Sequence, residues 1–99
     1  MTATLLLYRR AGCHLCDETR AILEALLAER YAAGQPIVEF REIDVAGDAE
    51  LEARHGATIP VLELAGERLE LAIRTGPIRQ FLEQLLDGPG GASRAEAIR

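Results

Sequence analysis

Short apolar segments alternate with helix-patterned segments along this chain, and the alternation leaves few possible folds. Residues 4–8 form a continuous apolar run of the length expected for a strand that is buried on both faces. From residue 14 to about residue 31, apolar residues recur at helical spacing between charged residues, which predicts an amphipathic helix. The apolar positions of this helix are Leu15, Ile22, Leu23, Leu26, Leu27 and Tyr31.

The middle of the chain predicts a second strand and a shorter helix. Residues 37–43 place apolar side chains between charged ones in near-alternation, as in a strand with one buried face. Residues 44–55 contain a glycine turn and a weakly amphipathic stretch. Asp48 is expected to cap this short helix, and Gly56 is expected to end it.

The last third of the chain predicts a β-hairpin and a third helix. Residues 61–64 and 69–73 are strand candidates, and residues 65–68 between them are expected to form a tight turn. Thr75 is expected to cap the last helix, with Pro77 in its first turn. The buried positions of that helix are Ile78, Phe81, Leu82, Leu85 and Leu86.

The order of elements, β-α-β-α-β-β-α, predicts an α/β fold. Right-handed crossovers place the first two strands parallel, and the hairpin then completes a four-stranded mixed sheet with flanking helices. A chain of 99 residues has room for one hydrophobic core. We therefore expect a single domain over residues 1–87 and a flexible C-terminal tail over residues 88–99, which begins with Gly and Pro.

Charge and hydropathy exclude two broad classes of partner. The formal net charge is -5, and the 11 basic residues are scattered, whereas a nucleic-acid binder needs a clustered basic surface. No apolar run approaches the length of a membrane span, and the N-terminal residues do not resemble a secretion signal. We therefore expect a cytoplasmic monomer that binds neither nucleic acid nor membrane.

The chain has two cysteines, Cys13 and Cys16, and they lie just after the first strand and at the start of the first helix. The loop that a bond between them closes is too short to stabilise the fold much, so their value must lie in reactivity. Amides at a helix N-terminus stabilise negative charge and lower the pKa of a cysteine there. We predict that Cys13 is the attacking thiolate and that Cys16, one helical turn later, is the resolving thiol.

Charged neighbours act on the Cys13 thiolate in both directions. His14 in its cationic form and Arg10 would favour the thiolate, whereas Asp17 and Glu18 would oppose it. A metal site is the alternative use of the cysteines, because Cys13, His14, Cys16 and His55 are four residues of the types that bind zinc. His55, at the end of the short helix, is more simply a charge partner of the helix C-terminus.

Two stretches of the chain resemble a known family. The segment Leu5-Leu6-Leu7-Tyr8-Arg9-Arg10-Ala11-Gly12-Cys13-His14-Leu15-Cys16 and the later Thr58-Ile59-Pro60-Val61 are similar to the glutaredoxin-like branch of the thioredoxin superfamily, over roughly residues 4–87. The resemblance implies a thioredoxin-like fold and a cis Ile59–Pro60 peptide bond that faces the redox pair. The candidate substrate-binding residues are then Arg10, His14, Thr58, Ile59 and Pro60. His14-Leu15 stands where that family usually has Pro-Tyr.

The resemblance also implies a function. We expect a thiol-disulfide oxidoreductase that reduces protein disulfides or glutathione mixed disulfides, with no cofactor required. Glutathione, as a possible co-substrate, or a reductase would return the electrons. Two alternatives use the same fold: a module that binds zinc or an iron-sulfur cluster between two chains, and a redox-sensing protein whose disulfide acts as a switch.

Overall fold

The computed structural model describes residues 3–87 and contains the seven elements in the predicted order. They are β1 (Thr4–Arg9), α1 (His14–Ala32), β2 (Glu39–Asp44), α2 (Ala49–His55), β3 (Val61–Leu64), β4 (Glu67–Leu69) and α3 (Thr75–Leu86). The tail predicted over residues 88–99 lies outside the described residues. Within the described part of the chain, no helix is long and apolar enough to cross a membrane.

The four strands form one mixed sheet in the order β2-β1-β3-β4. β1 and β2 are parallel, with α1 as the crossover between them, while β3 runs antiparallel to both β1 and β4. This topology confirms the predicted α/β class. It also brings the N-terminus of α1 to the carboxyl end of the central strand β1, where α/β sheets commonly build their sites.

The sheet separates two hydrophobic clusters, because alternate residues of a strand face opposite sides. Leu5 and Leu7 of β1 face the larger cluster, which is completed by Leu23, Leu26, Leu62, Leu64, Ala72, Ile78 and Leu82 from α1, β3, α3 and the segment before α3. Tyr8 faces the smaller cluster with Val45 and Val61, and Leu51 of α2 packs against it. α1 and α3 therefore cover one face of the sheet and α2 covers the other.

The predicted strand over residues 69–73 is wrong. The chain turns in two residues, Ala65 (φ +53°) and Gly66 (φ +82°), so that β4 starts already at Glu67. Positive φ at both central residues gives a turn whose twist matches that of the flanking strands. β4 then ends at Leu69, and Leu71 adopts a left-handed conformation (φ +50°) that breaks the extended chain.

Three residues of the helices differ from the prediction: Thr75 does not cap α3, and Leu15 and Tyr31 of α1 are exposed. α3 begins at Thr75, so its cap position is Arg74, which makes no side-chain capping hydrogen bond. On α1, Leu15 is 45% exposed and Tyr31 is 75% exposed, although their spacing suggested burial. Both residues lie near the ends of α1, on the face away from their buried neighbours Cys16 and Arg30.

Candidate active site

A tight turn joins β1 to α1 and carries the first cysteine. The Cys13 amide donates to the Arg10 carbonyl at 3.2 Å, which closes the turn over Ala11 and Gly12. Gly12 has φ +76°, a conformation that glycine adopts without the steric cost of a side chain. The glycine thus lets the chain reverse within two residues and start α1 directly at the edge of the sheet.

Cys13 is the N-cap of α1, and Cys16 lies in its first turn. The two are joined by a disulfide with Cα atoms 5.2 Å apart, and the Cys16 amide donates to Cys13 Sγ at 3.2 Å. Cys13 is half-buried, whereas Cys16 is fully buried. The sulfur that a disulfide substrate can reach is therefore the one that accepts a hydrogen bond from the helix N-terminus.

Charged side chains next to the cysteines are compensated inside the molecule. Arg9 contacts Asp17 at 2.6 Å and Glu42 at 3.2 Å, and the hydrogen bond from Arg9 lowers the pKa of Asp17. His14 Nε2 lies 2.9 Å from a Glu18 carboxylate oxygen. Asp17, which the sequence suggested would oppose the thiolate, thus forms an ion pair with Arg9, a cation that the sequence did not point to, and Glu18 contacts His14.

Arg10 makes a two-pronged ion pair with Glu52 of α2. Arg10 Nη1 and Nη2 each donate to one Glu52 carboxylate oxygen, and Nη2 also donates to the Gly56 carbonyl at 3.1 Å. The hydrogen bonds from Arg10 lower the pKa of Glu52. Arg10, which was predicted to bind substrate, therefore connects α2 to the turn over residues 10–13, which we call the redox turn.

The segment before β3 approaches the redox turn from the α2 side. The Ile59–Pro60 peptide bond, for which the resemblance implies the cis form, is cis. The Thr58 amide donates to the His55 carbonyl at 2.9 Å. In turn, the Thr58 carbonyl accepts from the Leu71 amide at 3.0 Å, and the Pro60 carbonyl accepts from the Ala72 amide at 2.8 Å.

Thr19 connects α1 to the chain beyond β4. Its side chain is completely buried, and its hydroxyl lies within donor distance of the Leu15 and Ala72 carbonyls. Leu71 and Ile73, the neighbours of Ala72, are 56% and 38% exposed. We call Leu15, Leu71 and Ile73 the apolar rim, because these three exposed side chains lie on segments that Thr19 ties together beside the cysteines.

His55 does not have the role that its sequence position suggested. The side chain is 1% exposed and stacks on Tyr8, on the opposite face of the sheet from α1, so it is not an exposed charge partner. Burial lowers its pKa and keeps the imidazole neutral. Within residues 3–87, no three His, Cys, Asp or Glu side chains are grouped to hold a metal ion, so the zinc ligands considered from sequence are not brought together.

The contributions of Glu52, Thr19 and Leu71 to this site were not found from the sequence. Glu52 lies 42 residues from Arg10, and Thr19 lies 53 residues from Ala72, so no local pattern connects the partners. A buried threonine among the leucines of an amphipathic helix is a weak signal, because it demands a hydrogen-bond partner from another element.

A protein family and several solved structures are similar to this chain over most of its length. The model of the glutaredoxin-like domain (DUF836) matches residues 4–87. The crystal structure of target protein XcR50 from X. campestris is 30% identical, with a TM-score of 0.65, and the match covers 80% of this chain and 95% of that one. The solution structure of Ne2328 from Nitrosomonas europaea is also 30% identical, with a TM-score of 0.55 and coverage of 71% and 75%.

A more distant structure shares the fold alone. A malarial protein is 11% identical, with a TM-score of 0.60 over 85% of this chain and 97% of that one. No curated protein matches the chain. The mixed sheet, its strand order and the cysteine pair at the start of α1 form a thioredoxin-like fold. With the family match over residues 4–87, this chain belongs to the glutaredoxin-like (DUF836) family.

Proposed function

We propose that the protein is a thiol-disulfide oxidoreductase that reduces protein disulfides or glutathione mixed disulfides with the Cys13–Cys16 dithiol. One observation carries the proposal: the half-buried Cys13 caps α1 and accepts a hydrogen bond from the helix, while Cys16 is fully buried one turn behind it. A thiolate at Cys13 is stabilised by that amide and by the helix dipole. The difference in burial supports unequal roles for the two sulfurs.

The reaction begins when the Cys13 thiolate attacks one sulfur of the substrate disulfide. A bond forms between Cys13 and that sulfur, the substrate S–S bond breaks, and the other substrate sulfur leaves as a thiolate that takes a proton from water. Cys16 then loses its proton and attacks Cys13 Sγ, which releases the second substrate sulfur. The substrate disulfide gains two electrons, and the protein is left with the Cys13–Cys16 disulfide.

An external thiol completes the cycle. A low-molecular-weight thiol such as glutathione, or a dithiol reductase, would reduce the Cys13–Cys16 disulfide by the same exchange in reverse. No resident cofactor is needed, because the two cysteines carry both electrons.

Single-turnover reduction of a fluorescent peptide disulfide by the pre-reduced protein tests the proposal. We expect wild-type protein to release the reporter, Cys13→Ser to lose the reaction, and Cys16→Ser to stop at a mixed disulfide on Cys13 that mass spectrometry detects. Loss of activity in Cys16→Ser with full activity in Cys13→Ser would reverse the assigned roles, and an inactive wild type would contradict the function.

The same preparation tests the alternative functions. Visible absorbance and metal analysis of protein purified without oxygen would reveal a cluster or zinc on the cysteine pair. Tight binding of one partner together with negligible exchange on general disulfides would instead indicate a redox sensor.

A further inference from the structure

The cation nearest the redox turn on the α2 side is already paired. Both terminal nitrogens of Arg10 contact the Glu52 carboxylate, and one of them also contacts the Gly56 carbonyl. The two side chains are partly exposed, at 37% for Arg10 and 41% for Glu52. Solvent and ligands can therefore reach the pair, but an incoming carboxylate meets a guanidinium whose charge Glu52 already compensates.

Arg10 lies close enough to Cys13 in the chain for its ion pair to affect which substrates bind there. Arg10 begins the turn that ends at Cys13, and its guanidinium reaches across to Gly56, two residues before Thr58. The ion pair thus links the redox turn to the segment that leads to the cis proline. Around it, Arg9 is paired with Asp17 and Glu42, and His14 with Glu18.

The apolar rim supplies uncharged side chains beside the same cysteines. Leu15 lies between the two cysteines in sequence, and Leu71 and Ile73 flank Ala72, whose amide contacts the Pro60 carbonyl. All three rim side chains are substantially exposed. Leu71 has a left-handed backbone conformation, which is costly for a bulky residue and occurs preferentially at functional positions.

We propose that Glu52 sets the substrate class of this redox site by holding Arg10 in an internal ion pair, so that the site selects polypeptide disulfides with apolar flanks over glutathione mixed disulfides. The inference rests on the proposed function. Glutathione carries two carboxylates, and they meet neutralised cations beside Cys13. A polypeptide with uncharged apolar residues next to its cysteine loses nothing from that neutralisation and can bury those residues against the apolar rim.

Two matched substrates test this selection in single-turnover reactions with dithiothreitol-reduced, desalted protein. Both carry the same neutral fluorescent peptide, linked through a disulfide either to glutathione or to a capped Leu-Cys-Leu peptide. We expect wild-type protein to reduce the Leu-Cys-Leu substrate faster, and Glu52→Gln to raise the rate on the glutathione substrate about fivefold, the effect of one exposed charge pair. The rate on the Leu-Cys-Leu substrate should change by less than about twofold.

Three comparisons show whether a gain in rate comes from the unpaired charge of Arg10 or from a change in structure. Glu50→Gln removes the same charge from the same helix, at a side chain paired with Arg54, and should leave both rates unchanged. Adding Arg10→Gln to Glu52→Gln should abolish the gain. Raising the ionic strength should shrink it, because salt screens exposed charges.

The outcomes distinguish the two levels of the proposal. Equal rates on both substrates in the wild type, or a gain in Glu52→Gln that Glu50→Gln reproduces, would overturn the role of Glu52 while leaving disulfide reduction intact. A wild type that reduces neither substrate would overturn the proposed function itself and this inference with it. Thermal unfolding of each variant by circular dichroism ensures that only folded proteins are compared.

Discussion

Tyr8 and His55 stack against each other between β1 and the end of α2, with ring centroids 4.1 Å apart and an interplanar angle of 26°. The Tyr8 hydroxyl donates to Glu63 at 3.0 Å, whereas neither ring nitrogen of His55 has a hydrogen-bond partner among the described residues. Burial, together with the hydrogen bond to Glu63, raises the pKa of Tyr8, and burial lowers that of His55. The smaller hydrophobic cluster therefore lies beside two neutral rings, those of Tyr8 and His55.

The pKa of His55 predicts a loss of stability in mild acid. The unfolded chain binds a proton at an ordinary histidine, near pH 6.5, while the folded state resists it, so the unfolded state holds more protons. The free energy of unfolding should therefore fall as the pH drops below about 6.5. Urea denaturation between about pH 7 and pH 5.5, above the range where most carboxylates titrate, measures the slope.

Two variants assign this slope. His55→Phe keeps an aromatic ring against Tyr8 but cannot take a proton, so its unfolding free energy should vary less with pH. His14→Gln removes the exposed histidine and should retain most of the acid sensitivity. An unchanged slope in His55→Phe would show that another group causes it.

Arg30 predicts a large contrast between two ion pairs of the same chemical type. Arg30 is 5% exposed, contacts both Asp87 oxygens at 2.9 and 2.6 Å, and donates to the Pro36 carbonyl, so it joins the ends of α1 and α3. Arg30→Met should lower the free energy of unfolding by about 2 kcal/mol, because it removes three hydrogen bonds that a buried guanidinium makes to Asp87 and the Pro36 carbonyl.

The matched control for Arg30 is Arg79, whose pair with Glu29 at 3.0 Å joins the same two helices on the surface. Arg79→Met should change the free energy of unfolding much less than Arg30→Met does, because solvent screens an exposed ion pair. Urea denaturation measures both variants. Equal losses would mean that burial does not set the strength of these pairs.

Loss of the Thr19 hydroxyl, which connects α1 to Ala72, is expected to lower the stability of the fold modestly. Thr19→Val keeps the shape of the side chain but removes the donor to the buried Ala72 carbonyl, and should lower the free energy of unfolding by about 1 to 2 kcal/mol. Thr4→Val removes an exposed contact to Glu39 at 3.4 Å and should have almost no effect. Chemical denaturation compares them, and a neutral Thr19→Val would argue against a structural hydrogen bond.

Leu71 predicts a separation of stability from activity. Asparagine tolerates φ values near +50° better than leucine, so Leu71→Asn should keep or slightly raise the free energy of unfolding. Loss of an apolar rim side chain should nevertheless slow reduction of the Leu-Cys-Leu substrate by about fivefold, roughly 1 kcal/mol of apolar contact. Single-turnover rates and denaturation of the same sample give both quantities.

The hairpin offers the control for Leu71. Ala65 has a similar φ of +53° but lies in the turn between β3 and β4. Ala65→Asn places Asn before Gly66, the pair that this turn prefers, and should raise stability without changing the reduction rate. If both variants left the rate unchanged, Leu71 would have no part in binding the substrate.

Element order and the position of the cysteines followed from the sequence because they depend on neighbours along the chain. The helical spacing after residue 14, the cap at Asp48 and the stop at Gly56 are local signals, and the structure contains α1 and α2 where they predict them. The parallel pairing of β1 with β2 follows from right-handed crossover. Even Cys13 as the N-cap of α1 could be predicted, since the strand before it ends four residues earlier at Arg9.

The surroundings of the cysteines depended on residues that only the folded chain brings together. Arg10 finds Glu52 across 42 residues, and Tyr8 meets His55 because β1 and α2 pack on one face of the sheet. Leu71 takes a left-handed conformation because its amide bonds to Thr58 while the chain turns toward α3. Local periodicity determines where helices and strands form, but the pairing of distant charges, burial and backbone strain arise only from packing in the folded chain.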